Sequence, residues 1–265
     1  MKEQINITNN SPIGIFDSGL GGLSITKEII NLLPNESTIY LADSINAPYG
    51  EKSKEQIIEF SIKNTELLVS LGCKMIVVAC NTATTNAIKI LRSNYNLPFI
   101  GIEPAIKPAA LTTKTGKIGV LATKGTLASD LFINTSSKFN YVEFIEVEGK
   151  NLVSLIESGK IENTKPLLKD YLLPMIAKGA DNIVLGCTHY PFLIPIIKEI
   201  IPEEINIIDS GLAVAKQTKS ILGINNLIAN KSDKESIYYT NNDEKILKQF
   251  LELNHIKGKA EFRYF

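Results

Sequence analysis

The chain has 265 residues, 44% of them hydrophobic, and its 28 basic and 28 acidic side chains cancel to a formal net charge of zero. That length allows one large domain or two of moderate size, with enough apolar content for an ordinary core. The charge balance speaks against a polyanion-binding surface, which needs a basic excess or stripe, and no apolar run reaches the ~18 residues of a membrane span.

The first ten residues, MKEQINITNN, are polar and lack the apolar centre of a signal peptide. Residues 13–16 then read as a strand, followed by the glycine-rich loop Asp17-Ser-Gly-Leu-Gly-Gly-Leu-Ser24 and a helix to about Leu33. A strand at 38–42 leads into a loop containing Pro48-Tyr49-Gly50, and apolar spacing at Ile57, Ile58, Ile62, Leu67 and Leu68 predicts a helix over 53–71. Further strands are predicted at 75–79, 99–102, 118–121, 142–147, 183–185 and 205–208, several almost wholly apolar, as expected for parallel strands covered on both faces. Helical stretches follow at 82–92 and 192–201. After Gly211 come a helix, a polar surface loop at 225–233, a short strand at 236–240 and a helix at 244–253. Alternating strand and helix predict α/β architecture with doubly wound parallel sheets. The expected division is a first domain of residues 11–104 plus 212–265 and a second of 105–211.

Three cysteines do not make a disulfide framework, and the chain reads as a cytoplasmic protein with reduced thiols. Two of the three share one setting. Cys80 ends the run Met75-Ile-Val-Val-Ala79 and Cys187 ends Asn182-Ile-Val-Leu-Gly186; each is followed by small polar residues, and a glycine stands eight positions before each, Gly72 and Gly179. Ile13-Gly-Ile-Phe16 resembles Ile118-Gly-Val-Leu121 and Ile102-Glu103 resembles Ile208-Asp209, at offsets of 105 and 106 against 107 for the cysteines. The near-constant offset indicates an internal repeat, although parallel α/β strands resemble one another in any case. Each cysteine precedes a helix-like stretch, where backbone N–H groups favour a thiolate or hold a carboxylate. The plainer reading makes each a small buried hydrophobe. Cys73, ahead of a strand, reads as a packing residue. His189, two residues beyond Cys187, could tune that thiol, and Asp17, ending the first strand, could do the same for Cys80; a loop hydrogen bond and a helix cap are the respective alternatives. His255 reads as a surface residue. Cys80, Cys187 and His189 could also hold zinc with an open position, but tight Cys-x₂₋₄-Cys spacing is lacking. The loop Gly19-Leu-Gly-Gly22 lacks both G-x-G-x-x-G and the P-loop lysine, and is read as a turn that lets Asp17-Ser18 approach a ligand closely.

The segments GIFDSGLGGLS (14–24), DSINAPYG (43–50), ACNTAT (79–84), GIEPAIKPA (101–109) and GCTHYP (186–191) resemble the glutamate racemases of the aspartate/glutamate racemase superfamily, from about Ile13 to about Ala213. The first ten residues have no counterpart there. The resemblance implies two α/β domains in pseudo-twofold relation with the active site in the cleft between them. It implies cofactor-independent interconversion of L- and D-glutamate, with Cys80 taking the α-proton from D-glutamate and Cys187 from L-glutamate, to supply D-glutamate for peptidoglycan. Asp17 would assist Cys80, and His189 would assist Cys187 with Glu157 as its acidic partner. Asp17, Ser18, Pro48, Tyr49, Gly50, Asn81, Thr82, Thr123, Thr126, Thr188 and His189 match ligand-binding positions. The chain departs from the family's Ala-Cys-Pro-x-Leu-Val-Pro-Leu by carrying Glu148-Gly-Lys-Asn-Leu-Val-Ser-Leu. No cofactor and no metal are expected. The expected partners are glutamate and a second copy of the chain in a homodimer, with neither nucleic acid nor membrane. An aspartate racemase on the same fold, a two-lobed binder of acidic amino acids and a zinc hydrolase are the competing readings; a binder has no need of paired thiols.

Overall fold

Residues 13–17 are buried without exception, Asp17 included, because this strand lies at the middle of a parallel sheet with a helical layer on each face. The structure, a computed structural model, describes residues 7–230 and 235–265. The first domain opens with β1 (Ile13–Asp17), α1 (Leu23–Leu32), β2 (Thr38–Ala42), α2 (Lys54–Ser70), β3 (Met75–Val78), α3 (Asn81–Asn94) and β4 (Phe99–Gly101). The second contains α4 (Ile106–Thr112), β5 (Lys117–Ala122), α5 (Lys124–Leu127), α6 (Asp130–Ser136), β6 (Glu143–Glu148), α7 (Leu152–Glu157), α8 (Lys165–Ala177), β7 (Asn182–Gly186), α9 (Ile194–Lys198) and β8 (Asn206–Ile208). The chain closes with α10 (Gly211–Ile224), β9 (Ile237–Thr240), α11 (Glu244–Leu253) and β10 (Lys259–Phe262).

One sheet runs β10-β9-β2-β1-β3-β4 and the other β6-β5-β7-β8, all neighbours parallel. The quartets β2-β1-β3-β4 and β6-β5-β7-β8 therefore have the same order, second-first-third-fourth. Register repeats as well: Ile13 pairs with Met75 and Ile118 with Asn182. The glycines eight residues before the cysteines do the same work in both. At the end of α2, Gly72 N–H bonds Val69 C=O (3.0 Å) and Cys73 N–H bonds Leu68 C=O (3.1 Å); at the end of α8, Gly179 bonds Ile176 (2.8 Å) and Ala180 bonds Met175 (3.2 Å). Both glycines have positive φ. This is the double helix-ending bond pattern that left-handed glycine permits, and it launches β3 and β7 alike.

Two expectations from the sequence need correction. β10 carries no strand signal, because Lys-Ala-Glu-Phe is too short and too charged to read as one; it survives as the outermost strand on β9. The helix expected at 192–201 is a 3₁₀ turn, Tyr190–Leu193, followed by the five-residue α9, since Pro191 and Pro195 both remove backbone donors there. Of the loop expected at 225–233, residues 231–233 lie outside the described residues, as do residues 1–6.

At the end of the first sheet opposite Cys80, Lys74 is wholly buried. Its ammonium meets Glu36 Oε2 at 2.5 Å, Asn9 C=O at 2.6 Å and Leu227 C=O at 2.8 Å, while Glu36 Oε1 accepts from Ala229 N–H at 2.8 Å. Burying a charge requires such full pairing.

Candidate active site

In a sheet of this order, ligands sit outside the carboxyl ends of the strands at the point where connections diverge, here between β1 and β3 and between β5 and β7. Both cysteines stand at those points. They line one small cavity of about 20 Å³ together with Ser18, Pro48, Tyr49, Gly50, Asn81, Thr82, Thr123, Val153, Thr188 and His189. That space holds about one water, so the walls are closed on each other. A wider groove of about 520 Å³ adjoins it, sharing Pro48, Gly50, Thr123 and Val153. Both domains contribute to the walls.

Cys80 is the N-cap of α3. Its Sγ accepts from Ala83 N–H at 3.4 Å and lies 3.7 Å from Ser18 Oγ. The helix end does not win here: burial, followed by the charge of Asp17, pushes the Cys80 thiol well above its ordinary range. Asp17 is fully buried; Oδ2 accepts from Gly22 N–H at 2.8 Å, and Oδ1 has no hydrogen-bond partner. Burial raises its carboxyl to about 6, against the opposing pull of His189. Asn81 is buried and faces the cavity with both side-chain polar atoms unpartnered.

Around Cys187 the partners differ. Its Sγ lies 3.7 Å from His189 Nδ1, and His189 Nε2 lies 2.5 Å from Glu157 Oε1. Burial opposes a charged imidazole, but hydrogen bonds with Cys187 and Glu157, and their charges, outweigh it and hold His189 well above the usual histidine range. Glu157 also accepts from Leu20 N–H at Oε1 (2.5 Å) and from Ser44 Oγ–H at Oε2 (2.9 Å). Gly21 N–H approaches His189 Nε2 at 3.2 Å. The altered segment before Glu157 is accommodated by Asn151, which takes a left-handed conformation ahead of α7, and by Gly149, whose C=O accepts from Tyr190 O–H at 3.1 Å.

Asp17, Glu157 and Thr126 stand behind the cavity wall rather than in it. Thr126 meets Thr123, Oγ1 to Oγ1, at 3.0 Å. The hydroxyl of Tyr49 is committed to Asp43 (2.5 Å), with Asn64 donating to it (3.2 Å). His255 takes a left-handed conformation just past α11, outside the site. Sequence reasoning misses Val153, Ser44 and the backbone of Leu20 and Gly21. The glycine loop also makes room for the second domain. A Cβ on Gly19 would strike the Glu157 carboxylate, and one on Gly21 would strike His189 and Thr188. The glycines thus admit side chains of the second domain. Among the described residues, no group of three or more His, Cys, Asp or Glu side chains could hold a metal ion, and no helix is long and apolar enough to cross a membrane.

A profile of the Asp/Glu/Hydantoin racemase family matches residues 13–218. The glutamate racemase of Ectopseudomonas mendocina is 46% identical over 239 residues, 89% of this chain and 91% of that protein. Among solved structures, Escherichia coli glutamate racemase in complex with L-glutamate and the activator UDP-MurNAc-ala superposes with TM-score 0.84 at 32% identity, covering 96% of this chain and 98% of the other. Glutamate racemase from Francisella tularensis in complex with D-glutamate gives 0.81 at 29% identity, covering 97% and 98%. The chain belongs to the Asp/Glu/Hydantoin racemase family and, within it, groups with the glutamate racemases.

Proposed function

We propose that this amino-acid racemase interconverts L- and D-glutamate by passing the α-proton between Cys80 and Cys187, without cofactor, and that it supplies D-glutamate for peptidoglycan in the cytoplasm. The observation that carries the mechanism is the pair of thiols at equivalent strand ends lining one cavity. Inversion at carbon needs a proton taken from one face and one delivered to the other, and two acid/base groups achieve this without turning the substrate. The similar structures with L-glutamate and with D-glutamate support glutamate as the substrate.

The two thiols stand in unlike surroundings. Cys80, buried beside Asp17, is the thiol. Cys187 lies 3.7 Å from Nδ1 of His189, whose imidazole is held above the usual histidine range, and must be ionised to act as the base. Cys187 then takes the proton from L-glutamate while Cys80 delivers one to the opposite face. In the other direction Cys80 must ionise, uphill from a thiol raised by burial, and Asp17, whose carboxyl is ionised above about 6, is the base assigned to receive its proton. A turnover of ~10 s⁻¹ corresponds to a barrier of roughly 16 kcal/mol, or about 12 pKa units. A thiolate near ~8.5 can meet that only if the bound carbon acid is brought to about 20 or below. The N–H groups opening α3, with Asn81, Thr82 and Thr188, are the donors available to stabilise the carbanion through the α-carboxylate.

The test is incubation of the purified protein with either enantiomer in deuterated water, followed by chiral chromatography and mass analysis. Product from both directions should carry deuterium at Cα. Full turnover with the original hydrogen retained would rule out the two-thiol route.

A further inference from the structure

The two half-sites are assembled differently. Every hydrogen-bond partner described for Cys80 and Asp17 lies in the first domain: Ser18, Gly22 and Ala83. The His189–Glu157 pair belongs to the second domain, yet apart from each other and Cys187 its partners are Leu20 N–H, Gly21 N–H and Ser44 Oγ, all in the first. Ser24 Oγ–H adds a bond to Thr188 C=O at 2.9 Å across the same boundary. Glu157 Oε2 has one described partner, Ser44. Nε2 of His189 faces two competitors, the Glu157 carboxylate, which requires a proton on Nε2, and Gly21 N–H, which requires none. Whatever fixes the carboxylate decides between them.

We propose that Ser44 is a positioning residue of the Cys187 half-site: by holding Glu157 from across the domain boundary, it keeps the carboxylate on His189 Nε2 and so the doubly protonated imidazole beside Cys187 only while the two domains are together. The Cys80 half-site needs no such bond. The cavity is small and walled by both domains, so its walls must part to admit substrate, and relative motion is the ordinary expectation for two domains in one chain. Parting would remove Leu20, Gly21 and Ser44 from the pair in one movement. The base that acts on L-glutamate is therefore completed by closure, whereas Asp17 and Cys80 stay assembled throughout. The groups facing the imidazole are Glu157 from α7, Cys187 from the end of β7 and Asp17 from the end of β1, so loss of the Ser44 bond acts on His189 through Glu157.

This inference rests on the two-thiol reading, and its test separates the two. The probe is 3-chloroglutamate, from which removal of the α-proton by a thiolate forms the Cα–Cβ double bond and expels chloride. Cys80→Ser leaves Cys187 to act on the L-configured probe, and Cys187→Ser leaves Cys80 to act on the D-configured one; if both variants processed the same enantiomer, the underlying reading would fail. Given opposite enantiomers, adding Ser44→Ala to Cys80→Ser should slow elimination about 10-fold, the usual scale for one hydrogen bond to a charged group. Adding it to Cys187→Ser should change the rate less than about 2-fold, and Ser44→Thr should restore the first rate. Equal slowing of both halves, or of neither, would overturn the role of Ser44. A second readout is independent of turnover. The chain has two histidines, so imidazole ¹⁵N resonances of the otherwise unaltered protein identify His189 by its loss in His189→Asn. In Ser44→Ala its titration should move down towards the ordinary histidine range; an unmoved titration would likewise overturn the proposal.

Discussion

Cys80 stands two residues past β3 and caps the fourteen-residue α3, so the Ala83 N–H meets its sulfur. Cys187 ends β7, the equivalent strand, but a 3₁₀ turn comes next, and its sulfur is met by a side chain, His189. The strands, their order and the glycine-closed helices before them match in the two halves. The segments leaving the strands do not match. The difference teaches that a repeated scaffold can deliver two thiols to one substrate while leaving each with its own chemistry: one side tuned by burial and a carboxyl, the other by an imidazole–carboxylate pair.

The strongest way to break this comparison is to remove each thiol. Cys80→Ser and Cys187→Ser should each abolish measurable racemisation. If either retained substantial activity, a single base would suffice and the two halves would not be partners.

Next come the helpers. Asp17→Asn and His189→Asn should each lower turnover by roughly 10²–10⁴-fold. The substrates are enantiomers, so their equilibrium constant is one and kcat/KM stays equal in the two directions. The asymmetry must therefore appear in kcat and KM separately, Asp17→Asn weighing on abstraction from D-glutamate and His189→Asn on that from L-glutamate. Identical changes in every parameter would reduce both residues to general scaffolding. With a carboxyl near 6, wild-type kcat/KM should fall as pH drops through that value, and Asp17→Asn should lack that limb.

Gly21→Ala sharpens the comparison at one half only, since a Cβ there meets His189 and Thr188. Displacement of a catalytic group by about 1 Å can lower activity ~10²-fold. Steady-state rates should fall on that scale, and the His189 ¹⁵N resonance should shift.

Asp17 also gives the Cys80 half a stability signature. Its carboxyl is raised in the folded chain from 3.8 to about 6, so the folded state binds the proton more tightly than the unfolded one. The contribution to stability is greatest below the unfolded value and declines as pH rises through about 6. Above that, the buried charge costs about 3 kcal/mol. Asp17→Asn should therefore raise Tm at pH 8 by several degrees and far less at pH 4, as scanning calorimetry would show; an equal shift at both would contradict it. The smallest effect is expected at Cys73, the third cysteine, buried against Gly14 away from the cavity: Cys73→Ser should leave both kcat values near wild type.

The two sheets and the paired thiols are readable from sequence because buried parallel strands are short apolar runs, and a repeat of them at nearly constant offset is visible without any structure. Helix α11 is readable to the residue from its spacing of Leu247, Phe250 and Leu251. Contacts between domains are not. Gly19 and Gly21 look like turn residues in one dimension, and only the arrival of Glu157 and His189, more than a hundred residues later, shows what they make room for. Ser44 has no signal beyond its place in DSINAPYG. The turn after Cys187 reads falsely as helix because Tyr-Pro-Phe-Leu-Ile-Pro has helical apolar spacing, while the prolines decide the backbone.

The Lys74–Glu36 pair, far from the thiols, bears on how such a chain can drift. Each member is nearly or fully sealed from water, and together they gather Asn9, Leu227 and Ala229 around the foot of the first sheet. Replacing both by well-packed apolar residues can be neutral, whereas replacing one strands a charge in the interior at about 3–5 kcal/mol. That is a large fraction of the stability a folded protein has to lose. The two positions are thus a single inherited character: viable descendants keep both or exchange both, and the single-step intermediates between them are the chains that selection would remove.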